Sequence, residues 1–226
     1  MLYIVATPIG NLEDITLRAL RVLREADYIL VEDTRRAGLF MKHFNLQGKR
    51  LVSFYEHNEE EKIPRVIEYL KQAKVVALLS GSGMPLVSDP GFRLVKECIE
   101  QKLPFTCVPG ASSLVNALVL SGCACDSFMF LGFLPKKKGK RLKKIEDVKN
   151  LGRTTIIFES PYRLTKTLLE LKQALGDKYC CVCREMTKVY EEAIRGRLSE
   201  VIDKLSGKKI RGECTLVLQA GDKRPF

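Results

Sequence analysis

Four short segments of the sequence are rich in polar residues, and three of them combine these with glycine and proline, a composition suited to loops that hold a ligand. Each follows an apolar run that we interpret as a strand. Glycine lets the backbone approach a ligand closely, and free N–H groups at the start of a following helix supply donors. The pattern favours binding of a polar ligand by the backbone. The segments are TPIGNLED (residues 7–14), EDTRR (32–36), SGSGMPLVSDPG (80–91) and VPGASS (108–113).

The elements around these segments indicate how they are brought together. Strand patterns such as LYIVATP, ADYILVED and VVALLS alternate with amphipathic helical patterns. This alternation is typical of a parallel α/β sheet covered on both faces. In such a sheet the loops open at one edge, outside the carboxyl ends of the strands, where ligands bind. One such loop alone is most often a capped turn, but the set predicts a binding cleft.

The pattern changes in the second half of the chain, where strands become more frequent and helices fewer. We therefore predict an N-terminal α/β domain over residues 1–115, with a mostly parallel sheet and flanking helices. An α+β domain with a mixed sheet follows over residues 116–226.

Familiar nucleotide and nucleophile motifs do not account for the glycine-rich loops. The sequence contains no GxxxxGK[ST], and Gly81 and Gly83 lack the third glycine of GxGxxG. Ser82 lies between two glycines but not in a GxSxG elbow, and neither His43 nor His57 has the context of a catalytic partner.

Metal binding is also disfavoured. The chain has eight cysteines and two histidines. Cys180, Cys181 and Cys183 fall on one strand-like run, where neighbouring side chains alternate between faces. No CxxC pair accompanies them, so we expect no zinc site and interpret the cysteines as small buried apolar residues in a reducing compartment.

No apolar run reaches the length of a membrane span. The N-terminal MLYIVATPIG has neither the basic start nor the cleavage site of a signal peptide, and it resembles a first strand. We therefore expect a soluble, cytoplasmic protein without a membrane partner.

The positive charge is concentrated in the second half. The formal net charge is +11, with 15 Lys and Arg against 14 Asp and Glu in residues 1–115 and 23 against 13 in residues 116–226. The excess is densest in LPKKKGKRLKKIEDVKNLGR (134–153). A polyanionic partner would explain this segment, and a solvated basic helix is the alternative.

Taken in order, several motifs resemble a known family. They include TPIGNLEDITLRAL, ADYILVEDTR, SDPGFRLV, VPGASSLVNAL, LGFLPKKKG, ESPYRL and REMTKVYEE. They are similar to those of the small-subunit ribosomal RNA methyltransferases in the tetrapyrrole methylase superfamily, which use S-adenosylmethionine. The resemblance implies two α/β domains with the cofactor between them, usually in a homodimer. It also implies 2′-O-methylation of a cytidine in the decoding region of 16S rRNA in the small ribosomal subunit, and no metal.

The resemblance assigns roles to residues of this sequence. Cofactor contacts are expected from Pro8, Gly10, Asn11, Ser80, Gly81, Gly83, Pro85, Pro109, Gly110 and Ser112. Substrate contacts are expected from Asp33, Thr34, Asp89, Ser160, Arg163 and the basic residues Lys136, Lys137, Lys138, Lys140 and Arg141. For Asp33, capping of the following helix is the alternative.

The catalytic hypothesis concerns the group that contacts the ribose hydroxyl, since this hydroxyl is a poor nucleophile. Glu185 or Lys188 is expected there, with Arg184 and Glu159 in the same set of residues. A structural ion-pair network is the alternative for each of them.

One departure from the family pattern falls in a cofactor loop. Relatives usually have SDAGTP where this chain has SGSGMP, so Gly81 replaces an aspartate and Met84 a threonine. A carboxylate and a hydroxyl are thus missing near the expected cofactor. Two other functions remain open: a methylase of a small tetrapyrrole-type molecule, whose cleft needs no basic segment, and a catalytically silent ribosome-binding homologue.

Overall fold

The computed structural model describes residues 1–219, which divide into two compact units, the first Met1–Ser112 and the second from Ser113 onward. The first unit contains a five-stranded sheet in the order β3-β2-β4-β1-β5, and all its pairings are parallel. Its strands are β1 Leu2–Val5, β2 Tyr28–Val31, β3 Arg50–Ser53, β4 Val76–Leu79 and β5 Phe105–Val108. Its helices are α1 Leu17–Glu25, α2 Thr34–His43, α3 Glu59–Lys71 and α4 Phe92–Glu100, with a 3₁₀ turn at Leu12–Asp14.

Helices cover both faces of this first sheet. Strand β4 is buried along its whole length, with Ala77 and Leu79 in one core and Val76 and Leu78 in the other. Helices α1 and α2 pack into the first of these cores, and α3 and α4 into the second. A strand covered on both sides needs a continuous apolar run, and this explains the sequence VVALL.

The second unit contains a mixed five-stranded sheet in the order β6-β7-β10-β8-β9. Strand β6 pairs parallel with β7, and the other pairings are antiparallel. Its strands are β6 Phe128–Phe133, β7 Thr154–Glu159, β8 Tyr179–Arg184, β9 Glu192–Arg197 and β10 Cys214–Leu218. Its helices are α5 Ser113–Ser121, α6 Lys138–Leu151, α7 Leu164–Leu175 and α8 Leu198–Leu205.

The core of the second unit lies between its sheet and helices α6, α7 and α8. Helix α5 packs on the sheet as well, and Cys183 Sγ lies 3.9 Å from the Ala117 carbonyl oxygen. The predicted fold class, with a parallel first sheet and a mixed second sheet, is confirmed. The domain boundary at residue 115 stays a prediction. Within residues 1–219, no helix is long and apolar enough to cross a membrane.

Candidate functional site

The chain reverses its direction across the first sheet between β1 and β4. From β1 the chain proceeds through β2 to β3, which forms one edge of the sheet. From β3 it returns through β4 to β5, which forms the opposite edge. Neighbouring strands whose connections leave in opposite directions form a topological switch point. Ligands of open α/β sheets bind at this point, outside the carboxyl ends of the strands.

The two loops at the switch point are hydrogen-bonded to each other. Thr7 N donates to the Gly83 carbonyl oxygen at 2.8 Å, and Gly83 N donates back to the Thr7 oxygen at 3.1 Å. The hydroxyl of Ser80 donates to the same Gly83 oxygen at 3.0 Å. The loops after β1 and β4 are therefore held together as one backbone platform.

Two glycines allow the loop after β5 to join this platform. A Cβ on Gly110 would lie 2.9 Å from the Cβ of Ala6, closer than such atoms approach in proteins. Gly83 has a φ of +78°, and its Cβ would lie 3.2 Å from Cγ2 of Ile9 and 3.7 Å from the Ala111 oxygen. Side chains at these positions would push the three loops apart.

The structure brings all the predicted cofactor residues to this edge of the sheet. Asn11 also caps the 3₁₀ turn, since its side chain accepts a bond from Glu13 N at 3.1 Å. The loop after β4 carries backbone strain, because Leu86 and Ser88 have left-handed φ values of +70° and +66°. The predicted cofactor residues are Pro8, Gly10 and Asn11 after β1; Ser80, Gly81, Gly83 and Pro85 after β4; and Pro109, Gly110 and Ser112 after β5.

Two half-buried carboxylates accompany the platform, and the sequence reasoning missed one of them. Burial and then the charge of Glu32 raise the pKa of Asp89 to about 7. Burial likewise raises the pKa of Glu32. Glu32 directly follows β2, a position that could have identified it, since carboxyl ends of parallel strands share an edge.

These carboxylates give a physical account of the unusual SGSGMP sequence. A Cβ on Gly81 would lie 3.7 Å from Oε2 of Glu32, so an aspartate there would add a third carboxylate. Glycine avoids that repulsion. Met84 reaches β5, with its Sδ 3.6 Å from Cys107 Sγ.

Asp33 is occupied as a helix cap. Its carboxylate accepts bonds from Arg35 N at 2.8 Å and Arg36 N at 3.3 Å, which lowers its pKa. Thr34 is the first residue of the capped helix α2. The capping alternative therefore describes the geometry of Asp33, and the substrate role of Asp33 and Thr34 stays a prediction.

The other predicted residues lie at one edge of the second sheet. Strands β6, β7 and β8 run in the same direction, so the loops that follow them share an edge. Glu159, at the end of β7, is buried and accepts bonds from Ser160 N at 2.8 Å and Thr167 Oγ1 at 2.6 Å. Arg163 pairs with Glu159 at 3.5 Å and donates to the Leu134 oxygen at 3.0 Å. These bonds hold the turn of ESPYR against the loop after β6. Glu159 must therefore be corrected as a catalytic residue, because its buried and bonded carboxylate is not available to a ribose hydroxyl.

An ion-pair network holds the loop after β8. Lys188 Nζ lies 2.9 Å from Glu185 Oε1 and 3.0 Å from Glu213 Oε2. The Lys188 bond and the Glu213 N–H lower the pKa of Glu185. Burial alone would lower the pKa of Lys188, but its two carboxylate partners outweigh burial and raise it. Arg184 pairs with Glu192 at 2.9 Å.

Arg141 differs from the lysines around it and must be corrected as a phosphate contact. It is 4% exposed, and its guanidinium bonds both Glu170 oxygens at 2.6 and 2.8 Å. It also donates to the Pro135 and Lys136 oxygens at 3.1 and 2.7 Å. This buried guanidinium, bonded through all three of its nitrogens, is not available to a ligand. It anchors residues 136–140, the end of the loop after β6 and the first turn of α6, which we call the lysine loop. The four exposed lysines at this loop are Lys136, Lys137, Lys138 and Lys140.

Among residues 1–219, no group of three or more His, Cys, Asp and Glu is arranged to hold a metal ion. The buried cysteines of β8 alternate between its two faces, and Cys180 lies in the core against α7 and α8.

Residues 1–202 match the family described as Tetrapyrrole (Corrin/Porphyrin) Methylases, and the chain belongs to this family. The predicted resemblance is thereby confirmed, and so is a methyltransferase as the class of enzyme.

Relatives within the family are more specific. The chain is 45% identical to "Ribosomal RNA small subunit methyltransferase I" of Thermotoga maritima, over 96% of this chain and 97% of that one. It is 44% identical to the protein of the same name in Halalkalibacterium halodurans, over 99% of this chain and 77% of that one.

Solved structures support the fold. Uroporphyrin-III C-methyl transferase from Thermus thermophilus, solved with S-adenyl homocysteine, aligns with a TM-score of 0.65 at 22% identity, over 98% of this chain and 97% of that one. Diphthine synthase aligns with a TM-score of 0.71 at 20% identity, over 96% of this chain and 88% of that one.

Proposed function

We propose that this protein transfers a methyl group from S-adenosylmethionine to the ribose 2′-oxygen of a cytidine in the decoding region of 16S rRNA, acting as a homodimer in the cytoplasm. The observation that carries the proposal is the 45% identity, across nearly the whole of both chains, to the rRNA small subunit methyltransferase I of Thermotoga maritima. The lysine loop of the second unit supports an RNA substrate, since phosphate contacts need exposed cations.

The first unit fits the cofactor in two respects. Gly83 and Gly110 let the loops after β1, β4 and β5 pack closely together, which gathers their backbone groups at one edge of the sheet. Glu32 and Asp89 give this edge an acidic character that favours a positively charged ligand. When bound, S-adenosylmethionine supplies an electrophilic methyl group on a sulfonium sulfur. The platform's task is to bind and orient, which is most of the catalysis that an in-line displacement needs.

The loop after β8 supplies the group that accepts the hydroxyl proton. The Glu185 carboxylate is ionised at neutral pH and can accept a proton, and the Lys188 bond that lowers its pKa holds it in place at the cost of making it a weaker base. The raised pKa of Lys188 keeps that side chain protonated, which suits positioning better than base catalysis. We therefore assign proton acceptance to Glu185 and positioning of its carboxylate to Lys188.

The two assignments predict different kinetics. Glu185→Gln should lower kcat by about a hundredfold, since a general base contributes at least that much. Lys188→Ala should lower kcat less and move the acidic limb of the pH–rate profile to higher pH, because Glu185 loses the partner that lowers its pKa. Glu192→Gln, in the neighbouring pair, serves as the control. Full turnover of Lys188→Ala with an unchanged profile would remove Lys188 from the mechanism.

The function itself is tested by methyl transfer. Labelled S-adenosylmethionine is incubated with small ribosomal subunits that lack ribose methylation, and the label is mapped by nuclease digestion. Label on a cytidine ribose in the decoding region is expected. In a parallel incubation with a porphyrin precursor, label on the precursor and none on the subunits would support a small-molecule methylase. An absence of both label and cofactor binding by calorimetry would indicate the silent ribosome-binding homologue.

A further inference from the structure

The edge of the second sheet that carries the lysine loop also carries exposed aromatic rings. The loops after β6, β7 and β8 share this edge, as the strand directions require. Tyr162, in the turn after β7, is 92% exposed. Tyr190, in the loop between β8 and β9, is 75% exposed. The sequence motifs that contain these tyrosines, ESPYR and REMTKVYEE, drew attention to their charged residues and not to Tyr162 or Tyr190.

The exposure of these two tyrosines is unusual for this protein. Tyr28 and Tyr69 stack on each other with ring centroids 3.9 Å apart. The hydroxyl of Tyr179 donates to the Ser121 oxygen at 3.4 Å. Tyrosine is normally placed so that its ring is covered. Tyr162 and Tyr190 instead leave most of their side-chain surface open to solvent.

The exposed tyrosines and the exposed lysines lie on loops at the same edge of the second sheet. Arg163, next to Tyr162, bonds the Leu134 oxygen and so ties the turn of Tyr162 to the lysine loop. Strands β7 and β8 are separated only by β10, and neighbouring strands lie about 4.8 Å apart, so the two tyrosine loops begin roughly 10 Å apart. One extended RNA strand of a few nucleotides spans loops that start at this separation.

We propose that Tyr162 and Tyr190 are stacking platforms for unpaired bases of the RNA strand whose phosphates contact Lys136, Lys137, Lys138 and Lys140. The proposal rests on the proposed function only for the identity of the strand as ribosomal RNA. Aromatic faces next to cations are the usual means of holding single-stranded nucleic acid. A duplex hides its base faces, so this surface selects unpaired RNA over paired RNA.

The test compares binding of a fluorescent single-stranded oligoribonucleotide with binding of the same strand in a duplex. Tyr162→Ala and Tyr190→Ala should each weaken binding of the single strand by about tenfold, as loss of one stacked base does. Tyr162→Phe and Tyr190→Phe should retain wild-type affinity, because the ring face remains. The dependence of affinity on salt should be unchanged in all four variants, since no phosphate contact is lost.

Two matched controls separate stacking from general loss of apolar surface. Val189→Ala removes a 94% exposed side chain from the loop of Tyr190 but no aromatic face. Phe128→Ala removes an aromatic ring that is 40% exposed at the start of β6, the opposite edge of the same sheet. Both controls should bind the single strand as the wild type does.

The outcomes distinguish this inference from the proposed function. The wild-type protein could fail to methylate the subunits while the tyrosine variants still bind single-stranded RNA more weakly. The stacking surface would then be supported, and the proposed methylation substrate would be rejected. If methylation occurs while both alanine variants keep wild-type RNA affinity and KM, the inference is overturned. A loss of dimer on size-exclusion chromatography with unchanged RNA affinity would assign the tyrosines to contact with a second copy, and would also overturn it.

Discussion

The two sheets of this protein have carboxyl-end loops of opposite character. At the first edge, Thr7, Ser80 and Gly83 bond through backbone and hydroxyl groups, and the nearby charged groups Glu32 and Asp89 are acidic. At the second edge, the loops carry lysines, ion pairs and exposed tyrosines. The same rule, that loops at the carboxyl ends of strands form sites, underlies both proposals: a small cationic ligand at the first edge and a polyanion at the second.

The largest expected effect comes from breaking the anchor of the second edge. Arg141→Met should lower the free energy of unfolding by about 3–5 kcal/mol, because it leaves the largely buried Glu170 carboxylate unpaired. Urea unfolding monitored by circular dichroism measures this loss. Lys144→Met, on the same helix but paired at the surface, is the control and should change stability by less than about 1 kcal/mol.

The next effect breaks the first edge alone. Gly83→Val adds a branched side chain at a φ of +78° against Ile9, so the switch-point loops must separate. Methyl transfer should fall by on the order of a hundredfold, as misplaced reactants do, while RNA affinity stays unchanged. Gly48→Val is a matched control, because Gly48 has a φ of +80° but no heavy atom within 4 Å of its Cβ position. Equal loss in both variants would mean that backbone strain, not the platform, is responsible.

A smaller effect sharpens the role of charge at the second edge. Replacing Lys136, Lys137, Lys138 and Lys140 with glutamine should weaken RNA binding by roughly tenfold or more at low salt. The slope of log affinity against log salt should flatten by up to about 3, since each phosphate contact on a single strand contributes roughly 0.7. Glutamine at Lys144 and Lys149, which pair with Asp147 and Glu146, is the control. An unchanged slope would exclude phosphate contacts by the lysine loop.

The smallest effect concerns the acidic pair of the first edge. The pKa of Asp89 is about 7 in the folded protein and near 4 when unfolded, so the folded state holds an extra proton between these values. Its stabilising contribution is complete below pH 4 and is lost as the pH rises to 7. The difference in Tm between Asp89→Asn and the wild type should therefore shift by a few degrees in favour of the variant as the pH rises from 5 to 8. Asp14→Asn, at an exposed carboxylate, is the control, and a gain independent of pH would refute the shifted pKa.

The sequence predicts much of this arrangement, because strand and helix periodicity depends on local residues. VVALL must be buried on both faces, and glycine-rich loops must follow such strands, so the first edge could be deduced. The features that the sequence does not predict are contacts between residues far apart in the chain. Arg141 has the same local context as its lysine neighbours, and only the fold brings it to Glu170. In the same way, nothing near Glu32 in the sequence indicates that Gly81 and Asp89 lie beside it.

Amide hydrogen exchange, measured with and without S-adenosylhomocysteine, tests the division between the two edges most directly. We predict that the ligand slows exchange in residues 7–11, 80–91 and 109–113, where the first unit's loops meet. Exchange in residues 134–140, 160–163 and 185–191 should respond to single-stranded RNA instead. Protection by the cofactor product confined to the second set of loops, with none in the first, would contradict the account.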